Sequence, residues 1–538
     1  MRIECNILDV VAEQSFYGCI EVQEGKIHSI TKIGEVQPTA KWITPGLVDA
    51  HVHIESSLLP PGEFAKMAVV HGTIATISDP HEIANVLGVA GVDYMISEAQ
   101  KVPFHFCFGA PSCVPATTFE TAGAAVSVQE VEELLDRPEI LYLAEMMNFP
   151  GVLQKDPEVM AKILAAKNRN KPVDGHAPGL MDELARQYIM AGISTDHECF
   201  TLEEAEGKLN MGMKVLIREG SAAKNFDALI PLAKNWGHSM MFCSDDKHPD
   251  SLIIGHINQL VSRAILAGVD PMVAYQMASK NPVEHYKIPI GLVQVGDSAD
   301  FLVLDDLATC HVHETYLHGE CVARQGKSFL NPTLAKPVNR FVKRTVQVSD
   351  ISVSILPTDT EIQVIKVLDG QLITHKTFYP VHALTENRDI LKLVVVNRYQ
   401  EAPPAVAWVE GFQLQQGALA SSVAHDSHNI VAVGKTDEDI VQVINAVMEA
   451  EGGLALVSKA QVSILPLPIA GLMSDQEGYH VAHLYSELDR LSKEELGSTL
   501  YSPFMSLSFL ALLVIPSLKL SDLGLFDGDQ FRFVRPSR

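Results

Sequence analysis

The sequence has few cysteines, and they are not arranged to bridge or to bind. Eight occur, at positions 5, 19, 107, 113, 199, 243, 310 and 321, with no CxxC pair. That argues against a disulfide framework and against a thiolate zinc knuckle. Several lie in apolar runs, such as Cys107 within Phe104-His105-Phe106-Cys107-Phe108, and read as buried, inert thiols. Positive charge is also scarce: 41 Lys and Arg stand against 66 Asp and Glu, for a net charge of −25. Neutralising phosphates requires a basic surface, so nucleic acid is not an expected partner and a small molecule is. The longest apolar run, residues 509–515, is too short to cross a bilayer and reads as a buried element. No membrane partner is therefore expected. Met1-Arg2-Ile3-Glu4-Cys5 is mixed in character and reads as a strand start rather than a secretion leader, so a cytoplasmic location is expected.

Familiar catalytic templates are missing as well. His81-Glu82 and His197-Glu198 both lack the second histidine of HExxH. There is no GxSxG elbow, no GxGxxG phosphate loop and no HxE…PCxxC signature.

What is present is an ordinary globular composition, 47% hydrophobic and 20% charged, over 538 residues. That length exceeds what one core usually organises, so two or three domains are expected. The first forty-odd residues read as short strands and turns, and a similar texture returns near Gly291 before Phe301-Leu302-Val303-Leu304. Paired, these stretches (residues 1–44 and 286–336) form a small flanking β-sandwich.

Between them, short apolar runs ending in polar residues alternate with segments of helical periodicity. The runs end at His51-Val52-His53, Ser78-Asp79, Gly109-Ala110, Ala144-Glu145, Gly175-His176, Asp196-His197, Arg218-Glu219 and Ser244-Asp245-Asp246. Eight such units over residues 45–285 predict an α/β fold, a (β/α)₈ barrel. Beyond about Pro337 the texture changes, with strands near residues 361–365 and 390–396 and a helix over 437–451. Residues 337–538 read as a C-terminal α+β domain.

A barrel gathers the carboxyl ends of its strands into one site. Those ends supply His51, His53, Glu145, His176, His197 and Asp245. Neutral imidazole and carboxylate suit Zn²⁺, Mn²⁺ or Fe²⁺. Six such groups exceed the needs of one open zinc and fit two metals, with a carboxylate able to bridge. HxH alone is weak, because His311-Val312-His313 repeats it without carboxylate-tipped strands nearby and reads as solvated strand. A lone Glu145 or His176 would more often be structural; their coincidence on strand ends argues otherwise. Asp196, beside His197, reads as a group that orients a ligand.

Pro45-Gly46-Leu47-Val48-Asp49-Ala50-His51-Val52-His53 resembles the opening of the amidohydrolase superfamily, and Gly296-Asp297-Ser298-Ala299-Asp300-Phe301 its closing strand. Longer motifs are more specific: His53-Ile54-Glu55-Ser56-Ser57, Ser78-Asp79-Pro80-His81-Glu82-Ile83, Ala144-Glu145-Met146-Met147-Asn148, Asp174-Gly175-His176-Ala177-Pro178-Gly179 and Ser244-Asp245-Asp246. Together they resemble the adenine deaminases, over nearly the whole chain.

The resemblance implies hydrolysis of adenine to hypoxanthine and ammonia in purine salvage, by a metal-bridged hydroxide. It implies two divalent ions, manganese first, with iron or zinc as alternatives. Glu145 would stand where relatives carry a carbamylated lysine; His51, His53 and Asp245 would hold one ion, and His176 and His197 the other. Asp245 would move the proton, with Glu198 and Asp246 as further catalytic candidates. His81, Glu82, Asp79, Arg218 and Ser221 are candidates for substrate binding. A homo-oligomer, dimer or tetramer, is expected. Another deaminase or cyclic amide hydrolase of the superfamily is the alternative, but dihydroorotase-like and hydantoinase-like enzymes generally use a lysine where this chain offers Glu145. A non-enzymatic descendant would have lost ligand positions, and none is lost. In the C-terminal domain, His425-Asp426-Ser427-His428 reads as a capped turn on the surface, with an approach to the pocket as the other possibility.

Overall fold

Each polar-tipped apolar run of the sequence becomes a strand of one alternating α/β body. The computed structural model describes residues 1–353 and 355–538. The chain opens with β1 (Arg2–Asp9), β2 (Gln14–Gln23), β3 (Lys26–Gly34) and β4 (Trp42–Pro45). Then come β5 (Leu47–Val52), β6 (Thr73–Ser78), β7 (His105–Ala110), β8 (Ile140–Met146) and β9 (Val173–Gly175). These five are parallel neighbours in that order. A second parallel set holds β10 (Thr195–Asp196), β11 (Lys214–Arg218) and β12 (Met240–Cys243). The two sets meet at both edges. Ser194 N–H donates to Val173 O at 2.9 Å beside β9, and Asp245 N–H donates to His51 O at 2.9 Å beside β5. Strands covered on both faces read as continuous apolar runs, and β5 and β6 are buried throughout.

The flanking strands β13 (Phe301–Leu304), β14 (Val312–Leu317), β15 (Glu320–Arg324) and β16 (Lys327–Ser328) join the amino-terminal ones. They form one continuous sheet of eight, ordered β16-β15-β14-β13-β4-β1-β2-β3, seamed where Leu302 pairs with Thr44. The sheet curls: Ile27 N–H reaches Asp297 O at 2.9 Å, and Gly296 N–H reaches Ile27 O at 2.8 Å. Ile7, Phe16, Ile20, Ile43, Phe301 and Val303 form its own core.

The C-terminal region builds a mixed sheet from β17 (Glu361–Val367), β18 (Thr374–Pro380), β19 (Leu391–Val396), β20 (Ala405–Glu410), β21 (Ala418–Ser421), β22 (Ile430–Gly434), β23 (Gly453–Ser458) and β24 (Gln461–Pro466). Helix Asp437–Glu449 starts where the Thr436 hydroxyl accepts from Asp439 N–H at 3.2 Å. It ends two residues short of the expected 451, because the chain turns left-handed at Glu451 (φ 56). Its Ile440, Val443, Ile444 and Val447 pack on Ala418, Ala432 and Ala455.

This region is docked on the parallel-stranded body. Glu63 Oε2 accepts from Gly478 N–H at 2.8 Å, Lys66 Nζ meets Glu477 Oε1 at 2.6 Å, and Asn429 Nδ2 donates to Thr121 O at 2.9 Å. One hydrophobic core runs through both. The apolar run 509–515 is folded into that contact, opening as the short 3₁₀ turn Phe509–Ala511. Among the described residues, no helix is long and apolar enough to cross a membrane.

Candidate active site

Strand β5 sets the site because it is tied to the end of β12. Asp49 Oδ1 accepts from Ser244 N–H at 2.9 Å, and Asp49 Oδ2 meets His256 Nε2 at 2.8 Å. His53 N–H reaches Asp245 O at 3.3 Å, and Asp245 itself takes a left-handed backbone (φ 54). Such strain in a residue other than glycine persists where surroundings over-determine it, often at functional sites. Here the Asp245 carboxylate faces His51 on β5 and His53 just past its end.

His53 is aimed by its other nitrogen. Nδ1 contacts the Asp79 carbonyl at 3.2 Å, leaving Nε2 3.2 Å from both Glu145 Oε1 and Asp245 Oδ1. A ring fixed this way on a carbonyl is the usual support of a metal-binding histidine. His51 Nε2 lies 3.8 Å from Glu145 Oε1 and 3.7 Å from Asp245 Oδ1, and neither of its buried nitrogens has a hydrogen-bond partner. On the other side of Glu145, Oε2 stands 2.7 Å from His176 Nδ1 and 3.4 Å from His197 Nε2. Glu145 thus turns one oxygen to each pair of histidines.

Charge states divide the four histidines: against burial, the facing carboxylates hold His53 and His176 above the usual imidazole range, while the other two are lowered. Burial, reinforced by neighbouring His197, lowers His51 to about 3, and burial lowers His197 to about 4, so both are neutral imidazoles near pH 7. Against burial, the His176 contact holds Glu145 well below the usual carboxylate range. Arg218 does the same for Asp245. Two neutral imidazoles, one of them (His51) with both nitrogens bare, set beside ionised carboxylates, fit a divalent ion. Ligand atoms lie within 4.8 Å of one another in His51, His53 and Asp245, in His51, Glu145 and His197, and in His176, His197 and Glu198.

Around this centre, the fully buried Arg218 donates to Asp245 Oδ2 at 2.6 Å and also pairs with Glu198. Asp196 Oδ2 binds Lys208 Nζ at 2.6 Å while its Oδ1 accepts from Glu198 N–H at 2.8 Å, bracketing His197. Burial and the charge of Asp245 push Asp246 up to about 6; the Ser56 hydroxyl donates to it at 2.5 Å. Asp79 stands behind His81, whose Nδ1 it meets at 3.0 Å. Ser221 is outside the cavity lining: its hydroxyl accepts from His248 N–H at 2.9 Å and donates to Ser251 Oγ at 3.0 Å. His311 is exposed and paired with Asp305 at 2.7 Å; His313 lies 3.4 Å from the same carboxylate.

A cavity opens over these groups. Its walls include His53, His81, Glu145, His176, Arg218 and Asp246, and also residues from far along the chain: Leu372, His425, Asp426, Phe509, Leu512 and Ile515. The surface-turn reading of His425 and His428 is overturned. His425 is 3% exposed and His428 0%, because both face the Glu82 carboxylate rather than water.

Residues 42–349 match the profile of the amidohydrolase family, and residues 363–532 that of the adenine deaminase C-terminal domain. A protein of Sulfurovum sp. (strain NBC37-1), "Adenine deaminase", is 50% identical over 538 residues, all of both chains. The chain belongs to the adenine deaminase family. A second relative of that name, from Salinibacter ruber, is 52% identical over 98% of this chain and 97% of its own. A zinc-bound adenosine deaminase structure from Xanthomonas campestris has a TM-score of 0.44 and 14% identity, covering 61% of this chain and 94% of its own; that distance carries no inference about the site. Within this family member, both matched regions furnish cavity walls, and they meet at Glu82 and His425. The strand-end pattern had no means of finding the second half. The apolar texture of 509–515 marked part of it as buried, and an approach of His425 and His428 to the pocket stood as the second reading.

Proposed function

We propose that this family member hydrolyses adenine to hypoxanthine and ammonia in the cavity above β5–β12. His51, His53, Asp245, His176, His197 and Glu145 would hold two divalent ions, manganese or iron by resemblance, with zinc also suited to the donors. The observation that carries this reading is Glu145, whose two oxygens face separate histidine pairs at 3.2 and 2.7 Å. When bound, such ions acidify water and so supply a nucleophile near neutral pH.

The remaining steps belong to the side chains. Asp245, kept ionised by Arg218, takes the proton released on attack at C6 and passes it to the departing amine, which leaves as ammonia. N1 must gain a proton as the ring loses aromaticity; Glu198 and Asp246, which line the cavity, are the candidates to deliver it. His81, with Asp79 behind it, borders the space the purine would fill. Arg218 serves through its carboxylate partners.

On this reading the parallel strands close into a (β/α)₈ barrel over residues 45–285. The curled sheet (1–44 and 286–336) acts as its flanking sandwich, and residues 337–538 form the α+β domain. The protein is taken to work as a cytoplasmic homo-oligomer, which sedimentation would test. The functional test is an assay for hypoxanthine and ammonia on adenine, beside adenosine, guanine and cytosine, with metal content measured on the same sample. Turnover of adenine with bound divalent metal is expected; turnover of another substrate in preference to adenine would overturn the reading.

A further inference from the structure

Glu82 and His425 are 343 residues apart in the chain, yet Glu82 Oε1 meets His425 Nδ1 at 2.5 Å. The other oxygen lies against His428 Nε2. Glu82 is 2% exposed and occupies the first turn of helix His81–Leu87, at the carboxyl end of β6. A carboxylate on one imidazole nitrogen fixes the ring's direction and leaves the other nitrogen free to act. A second constraint holds the same ring. His425 stacks on Phe509 with centroids 4.5 Å apart and planes 6° from parallel.

With Nδ1 engaged and one face covered, no described residue pairs with His425 Nε2, and the side chain lines the cavity. Beside it the wall is apolar, made of Leu372, Phe509, Leu512 and Ile515. That wall is anchored from behind by Lys519 Nζ, which donates to Leu372 O at 2.8 Å and Phe509 O at 2.9 Å. A purine has apolar faces and hydrogen-bonding ring nitrogens at its edges. It needs what this corner provides, flat apolar contact with a few fixed polar groups.

We propose that the C-terminal domain forms half of the purine site. His425 Nε2 hydrogen-bonds a ring nitrogen of the base, and the Leu372–Phe509–Leu512–Ile515 wall packs the ring. Glu82 and His428 are positioning residues, acting through His425 rather than on the purine. The inference rests on the reading of the cavity as the place where adenine is bound.

Its test uses the full-length, metal-loaded protein with two ligands: adenine for turnover, and purine, which lacks the amino group, for binding by calorimetry. His425→Ala is expected to raise KM for adenine and weaken purine binding by about 10-fold or more, with metal content unchanged. Glu82→Gln, which releases the ring without deleting it, should move both in the same direction by less. His425→Gln keeps a polar end group and should recover part of the loss, and it answers the question if the alanine variant fails to fold. Unchanged KM and purine affinity in folded variants, or a loss confined to kcat, would overturn the proposal. A wild-type protein that binds purine but leaves adenine intact would instead overturn the reading of the reaction.

Discussion

Glu145 stands between two histidine pairs, with Oε1 3.2 Å from His53 Nε2 and Oε2 2.7 Å from His176 Nδ1. A bridging carboxylate must offer both oxygens and its charge. Glu145→Gln keeps the size but loses the charge and one acceptor. Metal content and deamination are expected to fall together, turnover by more than about 100-fold. Elemental analysis beside the hypoxanthine assay checks this, and a variant retaining both would remove Glu145 from the bridge.

Arg218 is the buried cation between Glu198 and Asp245. Arg218→Met leaves two buried carboxylates facing each other without compensation, a type of change that costs about 3–5 kcal/mol. Urea unfolding should show the loss. Because Arg218 also holds the Asp245 carboxyl down, its removal raises that carboxyl, and the acidic limb of the rate profile should move to higher pH. Arg218→Lys cannot reproduce the fork and should recover only part of either effect. An unmoved acidic limb in the folded variant would free Asp245 from this control.

Ion uptake should depend on pH in a direction the site dictates. Against burial, Glu198 and Glu145 raise His176 to about 9, so without bound ions it carries a proton at neutral pH. An imidazole must lose that proton to ligate. Chelator-stripped protein is therefore expected to take up manganese more tightly at pH 9 than at pH 6, read by equilibrium dialysis. Tighter uptake at the lower pH would exclude His176 as a ligand.

The strand ends of the parallel set were legible because each marks a switch from a buried apolar run to polar residues, a local pattern. Even β9 and β10, three and two residues long, were visible through His176 and His197. The partnership of Glu82 with His425 was not legible. It depends on how two folded bodies dock, and nothing in the spacing around His425 distinguishes a buried histidine from a capped turn. The same holds for Arg218: its sequence neighbours mark a strand end, but its fork onto Glu198 and Asp245 follows only from how the ends of β10, β11 and β12 come together. Ser221 failed for the opposite reason. It sits beside the strand end, yet its hydroxyl is consumed by His248 N–H and Ser251 within the loop.

Lys519 gives the apolar wall a signature in stability. Burial lowers its ammonium from 10.5 to about 7 in the folded protein. Between those values the unfolded chain binds more protons than the folded one, so stability rises with pH from about 7 toward 10.5. The contribution is at most about 1.4 kcal/mol per pH unit. Below that window the lysine is charged in both states and the penalty of burying it is complete. Lys519→Met removes the titration and frees the carbonyls of Leu372 and Phe509. Two outcomes are expected: the difference in unfolding free energy between wild type and variant grows with pH across the window, and KM for adenine rises several-fold as the wall slackens. Taking the difference cancels the other groups that titrate there, such as Lys247 at about 8. Parallel stability curves from pH 7 to pH 10 would show that Lys519 is not buried as a charge-sensitive anchor.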